Sequence, residues 1–335
     1  MAGPRLRNLP LKNRKAPWNG VSTRRKAAIL GLAAFLVLDV IMVGWAVASH
    51  SASQSQKSAP AKTTEQKTPA PAASTSPSPS SSPAATTAAQ PDAISPTRVL
   101  AALNGNLAWR SSAGVCPDSP PTPELTTDGG ATWKPSNVNA PTATAAILTM
   151  HALGTELATM VALGGDNCEP QFVQTYVGGD NWAVYPDRIG GAWYVNPANR
   201  ASVHTPRGDR VAPCPLVVDL ASRDDSSAAL LCSDHNVFRT ADAGSTWSAA
   251  TLVPGAVVLA ASGDGYTIAA TDQPPCAGVA INTVAAGASP VTTAGCATTP
   301  APGAGDIALS EGGGTLWLWA DDTLVRSDNG GSTWH

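Results

Sequence analysis

Within residues 95–335, the side chains able to do chemistry are scattered carboxylates, arginines and histidines. Glu124, Glu156 and Glu169 form no matched pair of the kind that glycoside hydrolysis requires. Glu124 reads as a solvated strand residue. Asp224, Asp225 and Asp234 suggest a cation site, but a solvated loop is the better reading, and His151, His204 and His235 stand far apart in sequence. No HExxH, nucleophile elbow, phosphate loop or CxxC occurs. These patterns therefore assign no catalytic residue, no metal ligand and no cofactor. One stretch is richer. Residues 188–212 are irregular and hold Trp193, Tyr194, Arg200, His204, Arg207 and Arg210. Long loops on a rigid scaffold often carry binding, so these six are the expected ligand-contacting residues; the alternative is a loop that only caps a channel.

The elements that must position them are strands. Short apolar runs such as "ELATMVAL", "SAALLCS" and "TLWLWA" alternate with Gly, Pro, Asn and Asp turns, and long helical periods are absent. One turn string recurs as Ser/Thr-x-Asp-x-Gly-x-Thr-Trp. It is complete at Thr126, Asp128, Gly130, Trp133 and at Thr240, Asp242, Gly244, Trp247. Near the end Ser327, Asn329, Gly331 and Trp334 repeat it with Asn for Asp. A worn copy keeps Gly179 and Trp182 but has Val177 at the acid position. The Asp accepts nearby backbone N–H groups, the Gly supplies a backbone angle other residues avoid, and the Trp leads into the next strand. A strand leads in and a strand leads out, so the string reads as the hairpin between the third and fourth strands of a small sheet.

The closing tryptophans lie 49, 65 and 87 residues apart. A repeat of about 40–50 residues is that of a four-stranded propeller blade. The 49 is one blade, the 65 one blade plus an insertion near 190–210, and the 87 two blades, one without the string. The expected fold is thus an all-β propeller of about five four-stranded blades. After Trp334 only His335 follows, so the last fourth strand is very short, missing, or supplied by residues 92–100.

The string resembles the Asp-box, or bacterial neuraminidase repeat, of sialidases, sortilin-type receptors, photosystem-assembly factors and exported bacterial propellers. The resemblance implies a propeller with the boxes as structural elements on the rim, away from the central site. It also raises a sialidase-like glycoside hydrolase. Such an enzyme needs an arginine cluster, a Tyr–Glu nucleophile pair and an acid/base Asp, and the arginine-bearing motif is absent here.

The six cysteines, Cys116, Cys168, Cys214, Cys232, Cys276 and Cys296, all follow the apolar run described next. An even number in an exported segment suggests disulfides. Six cysteines allow fifteen pairings. The favoured set has Cys214–Cys232 and Cys276–Cys296 within single blades and Cys116–Cys168 between neighbours.

The N-terminal part is of another kind. Residues 1–26 carry eight basic side chains and no acid. Residues 27–48 are an apolar run of 22 residues, about 33 Å as a helix, enough to cross a bilayer. With "RRK" before it, the run reads as an uncleaved signal-anchor helix with the tail in the cytoplasm and the rest outside; a cleaved signal ending at "AVA" is the rival. Asp39 within the run costs about 2.5–3.5 kcal/mol on insertion scales, and is either outweighed by its neighbours or paired with another membrane protein. Residues 49–94 are almost all Ser, Ala, Thr, Pro, Gln and Lys with no hydrophobic period, a disordered linker. From residue 95 onward 10 Lys and Arg face 21 Asp and Glu, a net of −11, which argues against nucleic acid. The expectation is a single-pass protein of the bacterial cell membrane whose extracytoplasmic propeller (residues 95–335) binds or scaffolds a protein or glycan of the envelope.

Overall fold

The computed structural model describes residues 95–287, 290–300 and 302–335. The tail 1–26, the apolar run 27–48 with Asp39 and the linker 49–94 lie outside them. No helix among the described residues is long and apolar enough to cross a membrane.

The middle strands dictate the architecture. Ala228–Cys232 and Gly265–Ala270 are buried at every position, and Ala158–Gly164 at all but its last. A strand apolar on both faces needs a sheet on each side. A ring of radial blades provides two neighbours for every sheet.

Six antiparallel sheets form that ring, and each is consecutive in sequence. Blade 1 is β1 (Arg98–Ala102), β2 (Ala108–Ser112), β3 (Glu124–Thr126) and β4 (Lys134–Pro135). Blade 2 is β5 (Thr144–Ala152), β6 (Ala158–Gly164), β7 (Glu169–Thr175) and β8 (Ala183–Val184). Blade 3 has three strands, β9 (Tyr194–Val195), β10 (Ser202–Thr205) and β11 (Gly208–Val211). Blade 4 is β12 (Val217–Ser222), β13 (Ala228–Cys232), β14 (Asn236–Thr240) and β15 (Thr251–Leu252). Blade 5 is β16 (Ala256–Ser262), β17 (Gly265–Ala270), β18 (Val279–Ala285) and β19 (Thr292–Ala297). Blade 6 is β20 (Ile307–Gly312), β21 (Thr315–Ala320) and β22 (Thr323–Ser327).

The blade count corrects the sequence expectation of five. The supposed insertion near 190–210 is blade 3. Its strands are two to four residues long and polar, "SVHT" and "GDRV", so no apolar run betrays them. Its inner segment also runs backwards. Trp193 donates Nε1–H to Asp224 O, beyond the end of β12 (3.0 Å), while the N–H of Val217, at the start of β12, bonds Arg200 O (3.0 Å). The chain from 193 to 200 is thus antiparallel to β12.

Residues 98–102, which could have supplied a strand to blade 6, are instead the innermost strand of blade 1, and beside β22 His335 exchanges two 3.0 Å backbone bonds with Arg326. Side chains and turns seal the joint. Thr97 N–H bonds Gly305 O (2.8 Å), Ala102 N–H bonds Ser310 Oγ (2.9 Å), and Trp317 Nε1–H bonds Asn104 O (3.0 Å). The Arg110 guanidinium lies 4.1 Å from the Trp133 ring centroid and 5.3 Å from that of Trp319, which also stacks on Arg98 at 4.4 Å. Disulfides join Cys116–Cys168 between blades 1 and 2, Cys214–Cys232 between the approach to blade 4 and β13, and Cys276–Cys296 within blade 5.

The four closing tryptophans are not equivalent. Trp182 is 1% exposed, meets Trp109 edge-on at 5.5 Å and donates Nε1–H to Ser136 Oγ at 2.8 Å. Trp133, Trp247 and Trp334 are half-buried. Trp182→Ala is therefore expected to cost about 3–5 kcal/mol, the range for a buried large aromatic. Trp247→Ala should cost clearly less, and urea unfolding of the two variants side by side checks the order.

Candidate functional site

The repeated turns come first, because they fix the rim. Thr126 Oγ1 accepts Gly130 N–H (2.9 Å) and donates to Asp128 Oδ1 (2.8 Å). Asp128 in turn accepts Thr132 N–H (2.9 Å) and the Thr132 hydroxyl (2.6 Å). Thr240, Asp242, Gly244 and Thr246 repeat the pattern bond for bond. In the third copy Asn329 Oδ1 accepts Thr333 N–H (2.9 Å), while its amide donates to Thr333 Oγ1 (2.8 Å). The amide keeps the geometry by reversing one donor.

The glycine of each turn touches the blade before it. A Cβ on Gly130 would lie 2.8 Å from Leu324 of blade 6, on Gly179 2.4 Å from Trp109 of blade 1, on Gly244 3.2 Å from Arg210 of blade 3, and on Gly331 2.8 Å from Ile281 of blade 5. All four also have positive φ, between 75° and 95°.

The central channel is a cavity of about 500 Å³ lined by β1, β5, β12, β16, β20 and the Val195–Arg200 segment. Its wall is mainly Ala, Val and Leu, with Arg98, His151, Arg200, Asp219 and Glu311 as the titratable side chains. Most of these are already engaged. Arg98 pairs with Asp306 (3.7 Å) and Asp321 (3.8 Å). Arg200 donates Nε–H to Val217 O (2.7 Å), Nη2–H to Val218 O (2.8 Å) and Nη1–H to Ser95 Oγ (2.8 Å). Asp219 accepts the N–H groups of Leu220 and, across to blade 5, Leu259, both at 2.8 Å. Burial nevertheless pushes the Asp219 carboxyl up to about 6, and burial also raises Glu311. Asp219 can thus take up a proton near neutral pH, but both its oxygens are already accepting backbone N–H groups. Sequence reasoning passed over Asp219 and Glu311 because nothing in their local pattern marks them; only the ring places them on one wall.

The six residues expected to bind a ligand separate. Trp193 is buried against Ala228 and Ala243. Arg200 lies in the channel wall. Tyr194 and His204 do come together, stacked with centroids 4.7 Å apart, and His204 Nδ1 meets Asp209 Oδ1 at 2.6 Å. Burial, then the charge of Asp209, raises the Tyr194 hydroxyl pKa. Arg207 is exposed on the β10–β11 turn, and Arg210 bends back to Asp209 O (3.0 Å) and covers Gly244. Asp224 and Asp234 each accept N–H groups of their own loops, as a solvated loop would have it.

A surface that sequence reasoning missed lies on blade 2. In its worn turn Thr175 Oγ1 still accepts Gly179 N–H (3.0 Å), but Val177 replaces the acid and is 47% exposed beside Tyr176, 49% exposed. Tyr176 meets Tyr185 edge-on at 6.1 Å, and the Arg188 guanidinium covers Tyr185 at 4.7 Å. The available signal was the worn turn itself, an apolar residue where the other copies are polar.

Fold and site together define a six-bladed β-propeller with a largely self-satisfied channel and an aromatic patch on one rim. No protein-family model and no curated protein matches the chain. Among solved structures it is similar to YCF48 bound to a D1 peptide, at 16% identity and TM-score 0.28 over 72% of this chain and 68% of that one. It is similar to YCF48 from Cyanidioschyzon merolae at 16% identity and TM-score 0.31 over 70% and 67%. A GH74 xyloglucanase from Xanthomonas campestris is similar at 13% identity and TM-score 0.29, over 71% of this chain but only 37% of that one. Likenesses this distant carry no argument about activity.

The acids predict two pH windows. Hydrogen bonds from the Thr132 hydroxyl and N–H lower Asp128 from 3.8 to about 2, and those from Thr246 N–H and hydroxyl do the same for Asp242. Folded pKa values below the unfolded ones mean stability that is full above pH 4 and lost as pH falls toward 2. The double variant Asp128→Asn, Asp242→Asn should flatten that fall. Asp219 has the opposite sign: its folded pKa of about 6 exceeds 3.8, so its contribution is full below pH 4 and is lost as pH rises through 6. Asp219→Asn should remove the slope between pH 4 and 6 and leave the acid one, as read from urea midpoints at several pH values.

Proposed function

We propose that this chain is an extracytoplasmic binding or scaffolding module, a propeller of the Asp-box type carried on a single membrane anchor at residues 27–48. The observation that carries the reading is the exposed Tyr176–Val177 surface on a turn held by close packing of Gly179 against Trp109 of the neighbouring blade. Binding surfaces set on rigid elements lose little entropy when occupied. The basic tail of residues 1–26 supports an N-terminus in the cytoplasm, and the linker of residues 49–94 gives the propeller reach. The partner belongs to the envelope and is a protein or a glycan.

The test is a screen of the full-length protein in detergent against envelope protein extracts and a glycan panel, read for both binding and product release. Binding without product is the expected result. Release of shortened product would instead make the chain a hydrolase and direct attention to Glu311 and Asp219. Asp39 carries a separate expectation, a polar contact with another membrane protein. Asp39→Leu should then abolish co-purification of that partner from membranes, and unchanged co-purification would end the idea.

A further inference from the structure

Five of the six joints between blades are fastened. Blades 1 and 2 share the Cys116–Cys168 disulfide, the Trp109–Trp182 contact and an apolar core that holds Met160 and Ala162. Blades 3 and 4 share the bonds from Arg200 to Val217 O and Val218 O and a core that holds Val203 and Leu230. At blades 4 and 5 Leu259 N–H donates to Asp219 above a core with Ala229 and Ile268. Blades 5 and 6 have a core with Ala269 and Leu318, and Gly331 packs on Ile281. Blades 6 and 1 have the bonds of Thr97 and Trp317 and a core with Ala308. The joint of blades 2 and 3 has nothing of the kind. Among the described residues no disulfide, ion pair, hydrogen bond or ring contact runs from the strands of blade 2 to those of blade 3, and no apolar core spans the two.

Strand alternation shows which side chains meet there. On β6 Met160 and Ala162 turn toward blade 1, so Thr159 and Val161 turn toward blade 3. On β10 Val203 turns toward blade 4, so His204 turns toward blade 2, in one row with Tyr194 and Asp209. Each side bonds within itself. Tyr194 stacks on His204, whose Nδ1 meets Asp209. Gln174, opposite Thr159 in register, accepts from Arg188 of the turn that follows β8. Two buried polar atoms are left without a partner: His204 Nε2, and Oγ1 of Thr149, which pairs with Val161 in register. A buried polar atom that lacks a partner costs free energy in the closed ring and recovers it in water once the joint parts.

We propose that the ring parts between blades 2 and 3, and that this joint is a side entrance to the central channel. Thr149 and His151 on one side and Val195 and Pro197 on the other already line the channel, so a gap between them opens it laterally. The closure of blades 6 and 1, where the two ends of the ring meet, stays shut. Regions that open first are those with few apolar contacts and few fastenings, and here one joint of six lacks both. The proposal goes beyond the binding-module reading and does not rest on it.

The experiment is thiol labelling of the full-length protein in detergent under native conditions. All six cysteines are in disulfides, so one introduced cysteine is the sole free thiol. Val161→Cys places it in the joint of blades 2 and 3. Ala162→Cys, Ala229→Cys, Ala269→Cys and Ala308→Cys place it in the joints of blades 1 and 2, 4 and 5, 5 and 6, and 6 and 1. All five positions are buried. N-ethylmaleimide, read by peptide mass, should label Val161→Cys at least about tenfold faster than the other four. Residues 161 and 162 are neighbours on β6, so fraying of that strand would label both alike. Thr149→Val removes the unpartnered hydroxyl, and should slow labelling of Val161→Cys by at least about threefold. Equal rates at all five positions mean global unfolding alone and overturn the proposal. So does labelling of Ala162→Cys as fast as Val161→Cys, or fastest labelling of Ala308→Cys. If Val161→Cys does not fold, Leu163→Cys, buried on the same face of β6, gives the same reading.

Discussion

The structure depends on how closely each repeated turn approaches the blade before it. Gly130, Gly179, Gly244 and Gly331 sit where any Cβ would press on Leu324, Trp109, Arg210 or Ile281 of the preceding blade. The contact is possible because the Thr or Ser hydroxyl that opens each turn accepts the glycine N–H and holds a shape with positive φ there. The hydroxyl and the glycine are therefore one device. The hydroxyl sets the turn, Asp128, Asp242 or Asn329 reinforces it in three copies, and the glycine lets two blades approach.

Blades 3 and 5 lack the string, so the joints of blade 2 with blade 3 and of blade 4 with blade 5 have no such turn. Trp193 and Arg200 add to the joint of blade 3 with blade 4, which the Gly244 turn also makes, through Asp224 O, Val217 O and Val218 O. Asp219 reaches Leu259 of blade 5, Arg223 donates to Gly263 O (2.9 Å) and Arg239 to Ala285 O (2.7 Å). Apart from the exposed Arg223 bond these are partly buried polar links, and leaving one half unpaired would cost more than the link contributes. Their location explains the character of the channel. Arg200 and Asp219 are charged and face a cavity, but both are engaged in links between blades, and Asp219 stands at the joint of blades 4 and 5, where the turn is missing.

Much of this was legible in the sequence. The turn string fixed the position of four hairpins between third and fourth strands, because its bonds are local and each needs a particular residue type. Blade 5 was also legible, as a span of 87 residues too long for one repeat. Blade 3 was not. "SVHT" and "GDRV" have neither length nor apolar alternation, and their placement comes from Val195, Val203 and Cys214 packing against blade 4 rather than from their own propensity. The same holds for the site. Tyr194 and His204 could be grouped because they are near in sequence, whereas Tyr176 and Tyr185 meet only because β7 and β8 are paired across the worn turn.

The worn turn is thus informative about function as well as fold. In the other three copies the side chain at the third position bonds the threonine four residues on. In blade 2 the Thr175 hydroxyl alone retains Gly179, and the tight contact with Trp109 survives without the acid. Trp182, the most buried of the four closing tryptophans, supplies the packing that makes the acid dispensable. Once the turn no longer needs a carboxylate, position 177 is free to present apolar surface beside Tyr176. The blade whose turn lacks the acid is thus also the one whose turn carries an exposed aromatic residue, Tyr176, in contact with Tyr185.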